Sequence, residues 1–403
     1  MILFPSLDHF DLLKPFTHGG RAIWLDSESF KRILENFSMT LTQEQVFGAL
    51  GQVHDPYTGR DFLSSKSIKN LAITASTVGF ELELGYPAKS MWGSLKETLT
   101  RAIHQLPEAA GIQVHIECST QVVAHAAQGG VQLLPQVKNI IGVASGKGGV
   151  GKSTTAANLA LALHLEGARV GLLDADIYGP SQPMMMGLTG RPESADGKTM
   201  NPLIGHGVQV MSIGFLVNPN EAMVWRGPMA TQALEQLLRQ TNWESLDYLI
   251  IDLPPGTGDI QLTLSQRVPM TGSVIVTTPQ DIALIDAKKG VRMFEKVGVP
   301  ILGVLENMAV HVCSNCGHAE HIFGEGGGQA MATELGVDYL GALPLDINIR
   351  LQADMGRPTV VADPTSQVAE IYKDVARRVA AKVSAKAKDF SSKFPTIKIS
   401  KAT

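Results

Sequence analysis

The sequence predicts an α/β protein in which a doubly wound, mostly parallel sheet forms the main domain and a small α+β domain precedes it. Between residues 137 and 383, strand-like runs alternate with helical patterns, as in a parallel sheet with helices on both faces. Most of the runs are continuously apolar, which is typical of strands buried on both faces. A glycine-rich loop between the first run and the first helical pattern adds the strand, loop and helix order of a phosphate-binding site.

The elements of the small domain follow from local patterns. Thr42 can cap a helix that reaches Leu50, and Asp55-Pro56 opens a turn. After this turn the sequence predicts strands at 67–75 and 78–84, a helix at 91–105 and a strand at 112–116. The stretch that follows is small and polar, which is typical of a linker.

The strands of the main domain are predicted from the apolar runs. They lie near residues 139–145, 169–175, 208–213, 247–252, 272–277, 300–306 and 338–342.

The predicted domain organisation has five parts. They are an N-terminal extension of unclear role at 1–39, the small α+β domain at 40–118, a linker at 119–136, the main P-loop domain at 137–385 and a basic tail at 386–403. Met39 precedes the first patterned segment, so two interpretations stay open: Met39 is the natural start and the first 38 residues are an upstream extension, or these residues form a genuine N-terminal arm.

Composition narrows the class of protein. The chain is 44% hydrophobic and 18% charged, and its net charge of -4 gives no electrostatic reason to expect a nucleic-acid partner. No apolar run reaches the roughly 18 residues of a membrane span, and the N-terminal residues lack the pattern of a secretory signal. Three cysteines are too few for a disulfide framework. These observations predict a cytoplasmic protein that binds neither membrane nor nucleic acid.

The glycine-rich loop is the strongest functional signal. It reads Gly146-Lys147-Gly148-Gly149-Val150-Gly151-Lys152-Ser153, and Thr154 follows in the helix. Successive backbone N–H groups in such a loop, with a helix N-terminus behind them, cradle phosphate. We expect Lys152 to reach the β- and γ-phosphates of ATP and the Ser153 hydroxyl to bind Mg²⁺. All residues from Gly146 to Thr154 are therefore predicted to bind the nucleotide.

The second lysine of this loop, Lys147, is not needed by an ordinary P-loop. The loop resembles the deviant Walker A motif of the class that contains MinD, ParA and the nitrogenase iron protein. In that class the extra lysine crosses a dimer interface to contact the partner's nucleotide. The resemblance implies a homodimer in which Lys147 and Lys152 both act in catalysis. Because no arginine finger is evident in the sequence, we expect hydrolysis to need dimerisation and to be slow.

Carboxylates follow two of the predicted strands. Asp174 and Asp176 lie at the carboxyl end of one strand, where α/β sheets bind ligands. We expect Asp174 to hold the hydration shell of Mg²⁺ and Asp176 to act in catalysis by orienting the attacking water. Asp252 ends a later strand as a Walker B carboxylate for Mg²⁺. The loop at 254–259 resembles a switch II segment, and resemblance to the class places Asn307 on the adenine ring.

Cys313 and Cys316 form a CxxC pair in a glycine-rich segment. Two thiolates can bind one face of a metal centre, and a two-fold dimer supplies the four thiolates of a bridging [4Fe–4S] cluster. Three alternatives stay open: zinc with His318 and His321, a thioredoxin-like redox pair, and two thiols without a function. Cys118, at the end of a predicted strand, is expected to be a small buried residue.

Five motifs occur in an order that identifies a family. They are GKGGVGKS, DADIYGPSQP, IIDLPPGTGD, TTPQDIALIDAKKG and CSNCGH. Over residues 137–383 they resemble the Mrp/ApbC ATPases, which are iron–sulfur cluster carriers within the MinD/ParA-like P-loop class. The resemblance implies an ATPase that uses ATP and Mg²⁺ and binds a [4Fe–4S] cluster at a homodimer interface. It also implies cluster scaffold proteins and apo-protein clients as partners.

The small domain resembles the iron–sulfur assembly domain that precedes the ATPase in many Mrp proteins. Asp55-Pro56 matches that domain, but relatives often carry a cysteine-proline pair where this chain reads Gly85-Tyr86-Pro87. Because no extra cluster ligand is present there, we expect this domain to serve in docking or structure.

Two other functions compete with cluster transfer. A MinD/ParA-type positioning ATPase without a cluster would need a basic DNA surface or a terminal amphipathic helix. We expect Val375, Val379 and Val383 to pack on the sheet instead, which leaves Phe390 and Phe394 as the residues that could contact a membrane. A reductase like the nitrogenase iron protein takes one cysteine from each of two separate loops, whereas both cysteines here lie in one CxxC.

Overall fold

A computed structural model of the chain describes residues 17–18, 21–22, 41–125, 133–217, 227–313 and 315–386. The predictions for most of the N-terminal extension and for the basic tail beyond Lys386, including Phe390 and Phe394, lie outside the described residues. Within the extension, β1 (Thr17–His18) pairs antiparallel with β2 (Arg21–Ala22). Within the described ranges, no helix combines the length and the apolar character that crossing a membrane requires.

The small domain packs two helices with a three-stranded sheet. Its elements are α1 (Gln43–Leu50), β3 (Ile68–Ile73), β4 (Thr77–Leu84), α2 (Trp92–His104) and β5 (Gln113–Thr120). Thr42 caps α1 in a capping box, because its hydroxyl accepts from Gln45 N at 3.3 Å and Gln45 Oε1 accepts from Thr42 N at 2.9 Å. β4 pairs antiparallel with β3 and parallel with β5. Alternate residues of β4 are buried, so one face of the sheet forms the core of this domain.

The last strand of the small domain is longer than the sequence indicates. The pattern predicts a strand that ends at Ile116, but β5 pairs with β4 along its whole length, up to the partners Leu84 and Thr120. Cys118 therefore lies within the strand rather than at its end, and it is half-buried rather than buried. Burial of this thiol raises its pKa.

The main domain contains an eight-stranded sheet. Its strands are β6 (Val137–Ser145), β7 (Val170–Asp174), β8 (Leu203–Gly205), β9 (Val208–Ser212), β10 (Leu246–Asp252), β11 (Gly272–Thr277), β12 (Ile301–Glu306) and β15 (Tyr339–Ala342). They lie in the order β15-β12-β11-β6-β10-β7-β9-β8, and neighbours pair in parallel except for β8, which is antiparallel to β9. The predicted doubly wound, mostly parallel sheet is confirmed.

Helices and one short hairpin complete the main domain. The helices are α3 (Lys152–Leu165), α4 (Gln182–Met185), α5 (Gly227–Gln240), α6 (Asp259–Arg267), α7 (Asp281–Lys296), α8 (Gly327–Leu335), α9 (Ile347–Asp354), α10 (Thr359–Ala362) and α11 (Gln367–Ser384). The hairpin consists of β13 (His311–Val312) and β14 (Ala319–Glu320). α3 is buried from Thr155 to Leu163, because the sheet covers one side of it and α11 packs against another. Val375, Val379 and Val383 of α11 are buried, as predicted.

The small domain docks where α3 ends. Glu166 follows α3 and is 1% exposed. Its carboxylate accepts from the backbone N–H of Ser90 in the small domain at 2.9 Å and from the Ser90 hydroxyl at 2.6 Å. Arg377 of α11 donates to the same carboxylate, with 2.6 Å between Nη1 and Oε1. A buried carboxylate thus joins the P-loop helix, the C-terminal helix and the small domain.

Arg377 also contacts Tyr57 in the turn that contains Asp55-Pro56. Its Nε donates to the Tyr57 hydroxyl at 2.7 Å, and its guanidinium lies 5.4 Å from the centre of the Tyr57 ring. The Tyr57 hydroxyl donates to Asp374 at 2.8 Å. Tyr86 donates its hydroxyl to Asp55 at 2.7 Å. Tyr86 therefore contributes a structural hydrogen bond to this turn.

Replacing Arg377 by alanine should destabilise the whole chain. Glu166 would stay buried without its cation, so we expect the free energy of unfolding to fall by about 3 kcal/mol in urea titrations followed by circular dichroism. Arg378→Ala is the matched control, because Arg378 pairs with Asp374 at 2.6 Å while its side chain is 51% exposed. That substitution should cost less than about 1 kcal/mol. An equal loss in both variants would contradict the structural role given to the buried pair.

Candidate functional site

The glycine-rich loop connects the end of β6 to the start of α3. Ser145, the last residue of β6, donates its hydroxyl to the carbonyl of Lys147 at 2.8 Å. Gly149 and Gly151 adopt φ angles of +84° and +85°, which glycine tolerates and other residues rarely adopt. Two left-handed residues turn the chain tightly enough for α3 to begin at Lys152. This is the strand, loop and helix arrangement that the sequence predicts.

The two lysines of the loop lie in different environments. Lys152 is 6% exposed, and its Nζ lies 2.5 Å from Asp252 Oδ1, at the end of β10. The Lys147 side chain is half-buried, and its ammonium group makes no hydrogen bond or ion pair within the described residues. A nucleotide phosphate would compete with Asp252 for Lys152, whereas Lys147 is available to another group.

The surroundings of Asp252 fit a magnesium ion. Its Oδ2 accepts from Gln182 Nε2 at 2.9 Å, and the same amide nitrogen donates to the carbonyl of Ser153 at 3.0 Å. Two side-chain oxygens on the segment that carries this amide, Gln182 Oε1 and Ser181 Oγ, are buried without a hydrogen-bond partner in the described part of the chain. Mg²⁺ in nucleotide sites typically takes one or two carboxylate or hydroxyl ligands and keeps several waters, which such orphaned oxygens can accept from. Asp252 and the Ser153 hydroxyl are the side chains here that would hold the ion.

Asp174 is bound by its own loop. Its Oδ2 accepts from the backbone N–H of Ser181 at 3.0 Å, from that of Gln182 at 3.1 Å and from the Ser212 hydroxyl at 3.0 Å. Burial, and after it the negative charge of Asp252, raise the pKa of Asp174 to about 7. These bonds fold the segment after β7 back onto the end of its own strand. They bring Gln182, to which the sequence motif alone assigned no role, against Asp252.

Asp176 is half-buried and lies two residues beyond the strand. Its backbone N–H donates to Asp174 Oδ1 at 3.2 Å, and its carboxylate accepts from Gly179 N at 3.3 Å. Burial raises its pKa, and the positive charge of Lys152 opposes this shift. Its role in orienting a water stays a prediction.

The predicted switch II loop at 254–259 lies against the P-loop. Gly256 donates its N–H to the carbonyl of Ser145 at 3.0 Å and has a φ of +99°. A displacement of Ser145 would therefore move this loop through the hydrogen bond to Gly256.

Asn307 connects the P-loop to the cysteine segment. It follows β12 and is 8% exposed, and its Nδ2 donates to the carbonyl of Val150 at 2.9 Å. Its Oδ1 accepts from the backbone N–H of Met308 at 2.9 Å. A Cβ atom on Gly151 would lie 2.1 Å from Asn307 Nδ2, so this contact also requires glycine in the loop. The assignment of Asn307 to the adenine ring stays a prediction.

Cys313 and Cys316 lie at the turn of the β13–β14 hairpin. Cys313 N donates to the carbonyl of His318 at 2.9 Å, and Gly317 N donates to the carbonyl of Cys313 at 2.8 Å. Cys313 is half-buried and Cys316 is exposed. Hydrogen bonds from the backbone N–H groups of Asn315 and Cys316, and then from the Cys316 thiol, lower the pKa of Cys313. A lowered pKa favours the thiolate, which is the form that binds metal.

The two histidines considered for a zinc site do not join the thiols. His321 Nδ1 lies 2.7 Å from the carbonyl of Ala309, at the base of the hairpin. Across the described ranges, no three His, Cys, Asp or Glu side chains are grouped closely enough to hold a metal ion. Within the described residues, the hairpin therefore offers two thiols, one half-buried and one exposed, without a third metal-ligating side chain beside them.

The steric limits of the P-loop give a stability test that needs no ligand. Gly151→Ala combines a positive φ with a contact of 2.1 Å to Asn307, so we expect a loss of at least roughly 1–3 kcal/mol in the free energy of unfolding. Gly148→Ala is the control, because no heavy atom lies within 4 Å of a Cβ built there. Thermal melting of both variants should show a lower midpoint for Gly151→Ala alone. Equal midpoints would contradict the loop geometry.

Comparison with protein families gives two matches. Residues 136–380 match the model of the NUBPL iron-transfer P-loop NTPases, and residues 43–116 match that of the iron–sulfur cluster assembly proteins. Among solved structures, a nucleotide-binding protein of Archaeoglobus fulgidus in complex with ADP superposes with a TM-score of 0.52 at 36% identity, over 59% of this chain and 93% of the other.

Curated relatives cover most of the chain. The iron–sulfur cluster carrier protein of Pseudomonas fragi is 61% identical over 280 residues, which are 69% of this chain and 97% of the relative. That of Escherichia coli strain K12 is 50% identical over 340 residues, 84% of this chain and 91% of the relative. The resemblance found in the sequence motifs is confirmed, and the chain belongs to the family of NUBPL iron-transfer P-loop NTPases.

Proposed function

We propose that the protein is an ATP-dependent iron–sulfur cluster carrier. Two copies hold one [4Fe–4S] cluster as cargo between their Cys313 and Cys316 pairs and deliver it to apo-proteins. ATP binding and slow hydrolysis at the P-loop alter the closure of the dimer and so the hold on the cluster. The relatives in Pseudomonas fragi and Escherichia coli carry the name iron–sulfur cluster carrier protein, which supports the same function here.

The observation that carries this proposal is the pair of thiols at the tip of a hairpin, of which Cys313 is half-buried and Cys316 is exposed. A [4Fe–4S] cluster takes four thiolates, and one chain offers two in the hairpin. A two-fold axis through the hairpin tips would supply the other two from a second copy. Exposure of Cys316 suits a cluster that must leave, because a buried cluster could not be reached by an acceptor.

Apolar side chains around the hairpin support contact with a second copy. Val312 and Ile322, on either side of the cysteines, are each 51% exposed. Ile282 and Ile285, in the first turns of α7, are more exposed still. α7 adjoins the segment that follows the hairpin, since a Cβ atom on Gly327 would lie 2.6 Å from Leu284. Large exposed apolar side chains beside the cysteines and on an adjoining helix are typical of a protein interface.

Hydrogen bonds connect the nucleotide loop to the hairpin. Asn307, which lies six residues before Cys313, donates a hydrogen bond to the carbonyl of Val150 in the P-loop. At the base of the hairpin, the His321 ring is hydrogen-bonded to the carbonyl of Ala309. At the far end of this segment, the backbone N–H of Gly328 donates to the Glu306 carboxylate. Both ends of the cysteine segment are therefore fixed beside the P-loop. A nucleotide shifts the hairpin only if it binds more tightly when the hairpin is in one position than when it is in another.

The P-loop residues carry the ATPase half of the function. When a nucleotide binds, Lys152 leaves Asp252 and pairs with the β- and γ-phosphates, whose charge it then partly neutralises. Asp252 and the Ser153 hydroxyl hold Mg²⁺, which when bound adds positive charge against the phosphates. Asp176 accepts a hydrogen bond from the attacking water and orients it. Lys147 of the second copy adds a cation when the dimer closes.

Cluster delivery tests the cysteine assignment. The protein is reconstituted anaerobically with iron and sulfide, separated from both, and mixed with an apo-enzyme whose activity needs a [4Fe–4S] cluster. We expect the wild type to restore that activity and the Cys313→Ala, Cys316→Ala double variant to restore none. Cys118→Ala is the control and should behave as the wild type, because Cys118 lies in the small domain. Restoration by the double variant at the wild-type rate would contradict the proposal.

Substitution of the two lysines separates binding from hydrolysis. Lys152→Ala should weaken ADP binding by roughly 100-fold, because charge-assisted hydrogen bonds to the phosphates are lost. Lys147→Ala should leave ADP binding by one chain nearly intact and lower ATP hydrolysis by about 100-fold or more, as for a missing catalytic cation. Calorimetry and a phosphate-release assay measure the two effects. Equal behaviour of both variants would contradict the roles assigned to these lysines.

A further inference from the structure

Gln182 is a buried amide at the centre of the candidate magnesium site. The first residue of α4, it is 0% exposed, and its backbone N–H donates to Asp174. Its side-chain Nε2 donates both to Asp252 Oδ2 at 2.9 Å and to the carbonyl of Ser153 at 3.0 Å. One amide group therefore bridges the two residues that would hold the ion.

The orientation of this amide is fixed by its neighbours. Both contacts of Nε2 are with acceptors, a carboxylate oxygen and a carbonyl oxygen. Rotating the amide by half a turn would place Oε1 against both of them and lose two hydrogen bonds. Oε1 must therefore point to the other side, away from the Asp252 carboxylate oxygen that Nε2 contacts.

On that other side Gln182 Oε1 has no hydrogen-bond partner in the described ranges, although it is buried. A buried acceptor without a donor is costly, so such an atom indicates a donor that belongs to the working site. Phosphate oxygens cannot fill this role, because they are acceptors themselves. A water molecule that binds Mg²⁺ is a strong donor, and Asp252 and Ser153 put the ion within reach of the same amide.

We propose that Gln182 is a positioning residue of the magnesium site. Its Nε2 holds Asp252 against the P-loop, and its Oε1 accepts a hydrogen bond from a magnesium-bound water. The hydroxyl of Ser181, on the preceding residue, is also buried without a hydrogen-bond partner in the described part of the chain. This inference rests on the nucleotide half of the proposed function and adds a residue outside the P-loop and the Walker B strand.

The test compares ADP affinity with and without magnesium. Isothermal titration calorimetry of the full-length protein is run once with excess Mg²⁺ and once with EDTA, and the ratio of the two dissociation constants gives the magnesium enhancement. Gln182→Met keeps the length of the side chain and removes both polar atoms. We expect it to lower the enhancement by about tenfold, the usual effect of losing a residue that supports metal ligands.

Gln182→Glu isolates the acceptor from the donor. This variant keeps an oxygen where Oε1 stands but loses the Nε2 donor that holds Asp252, so its magnesium enhancement should fall by clearly less than the tenfold expected for Gln182→Met. A fall of tenfold or more for Gln182→Glu would overturn the role of the oxygen, and it does so even if Gln182→Met fails to fold. Thermal melting of each variant shows which of them are folded.

Gln209→Met is the matched control. The Gln209 amide also bridges two groups, accepting from Glu244 N at 3.0 Å and donating to the Glu244 carbonyl at 3.1 Å, but it lies away from the P-loop. The magnesium enhancement of Gln209→Met should match that of the wild type. A wild type that binds no ADP would contradict the proposed nucleotide function. A wild-type enhancement that persists unchanged in Gln182→Met would overturn this inference alone.

Discussion

A buried ion pair at each end holds the P-loop helix α3 in place, and the two candidate sites and the small domain depend on this constraint. At its first residue, Lys152 pairs with Asp252, with side chains 6% and 0% exposed; just beyond its last residue, Glu166 pairs with Arg377, with side chains 1% and 8% exposed. Charges buried this deeply are stable only when each keeps its partner and its hydrogen bonds. A nucleotide that draws Lys152 toward phosphate therefore changes the balance of charge around Asp252, while the opposite end of the helix stays fixed.

The pair at the P-loop end lies within a network that reaches three segments. Gln182 transmits the position of Asp252 to the segment after β7, Gly256 connects Ser145 to the switch II loop, and Asn307 connects Val150 to the cysteine hairpin. These are direct hydrogen bonds between buried or half-buried groups, so a displacement of the loop cannot be absorbed by solvent. In the proposed carrier this network provides the physical link between nucleotide and cluster.

The sequence predicted the sheet, the P-loop and the cysteine pair, because each depends on local patterns: continuous apolar runs, glycines before a lysine, and two cysteines at close spacing. It did not predict the bonds that join distant segments. Gln182 and Asp252 are 70 residues apart, and Glu166 and Arg377 are 211 apart. The strand β8 escaped prediction because its three residues pair antiparallel at the sheet edge, where no continuous apolar run is needed. β5 was predicted too short because pairing with β4 extends it past its apolar residues.

Native mass spectrometry under anaerobic conditions tests the shared cluster most directly. The chain has a mass of 43.1 kDa, so the reconstituted protein should appear as a species of two chains that carries one [4Fe–4S] unit. The Cys313→Ala, Cys316→Ala variant should lack that unit at the same protein concentration. A complete [4Fe–4S] unit on a single chain, or on two chains of the double variant, would contradict a cluster held between the two hairpins.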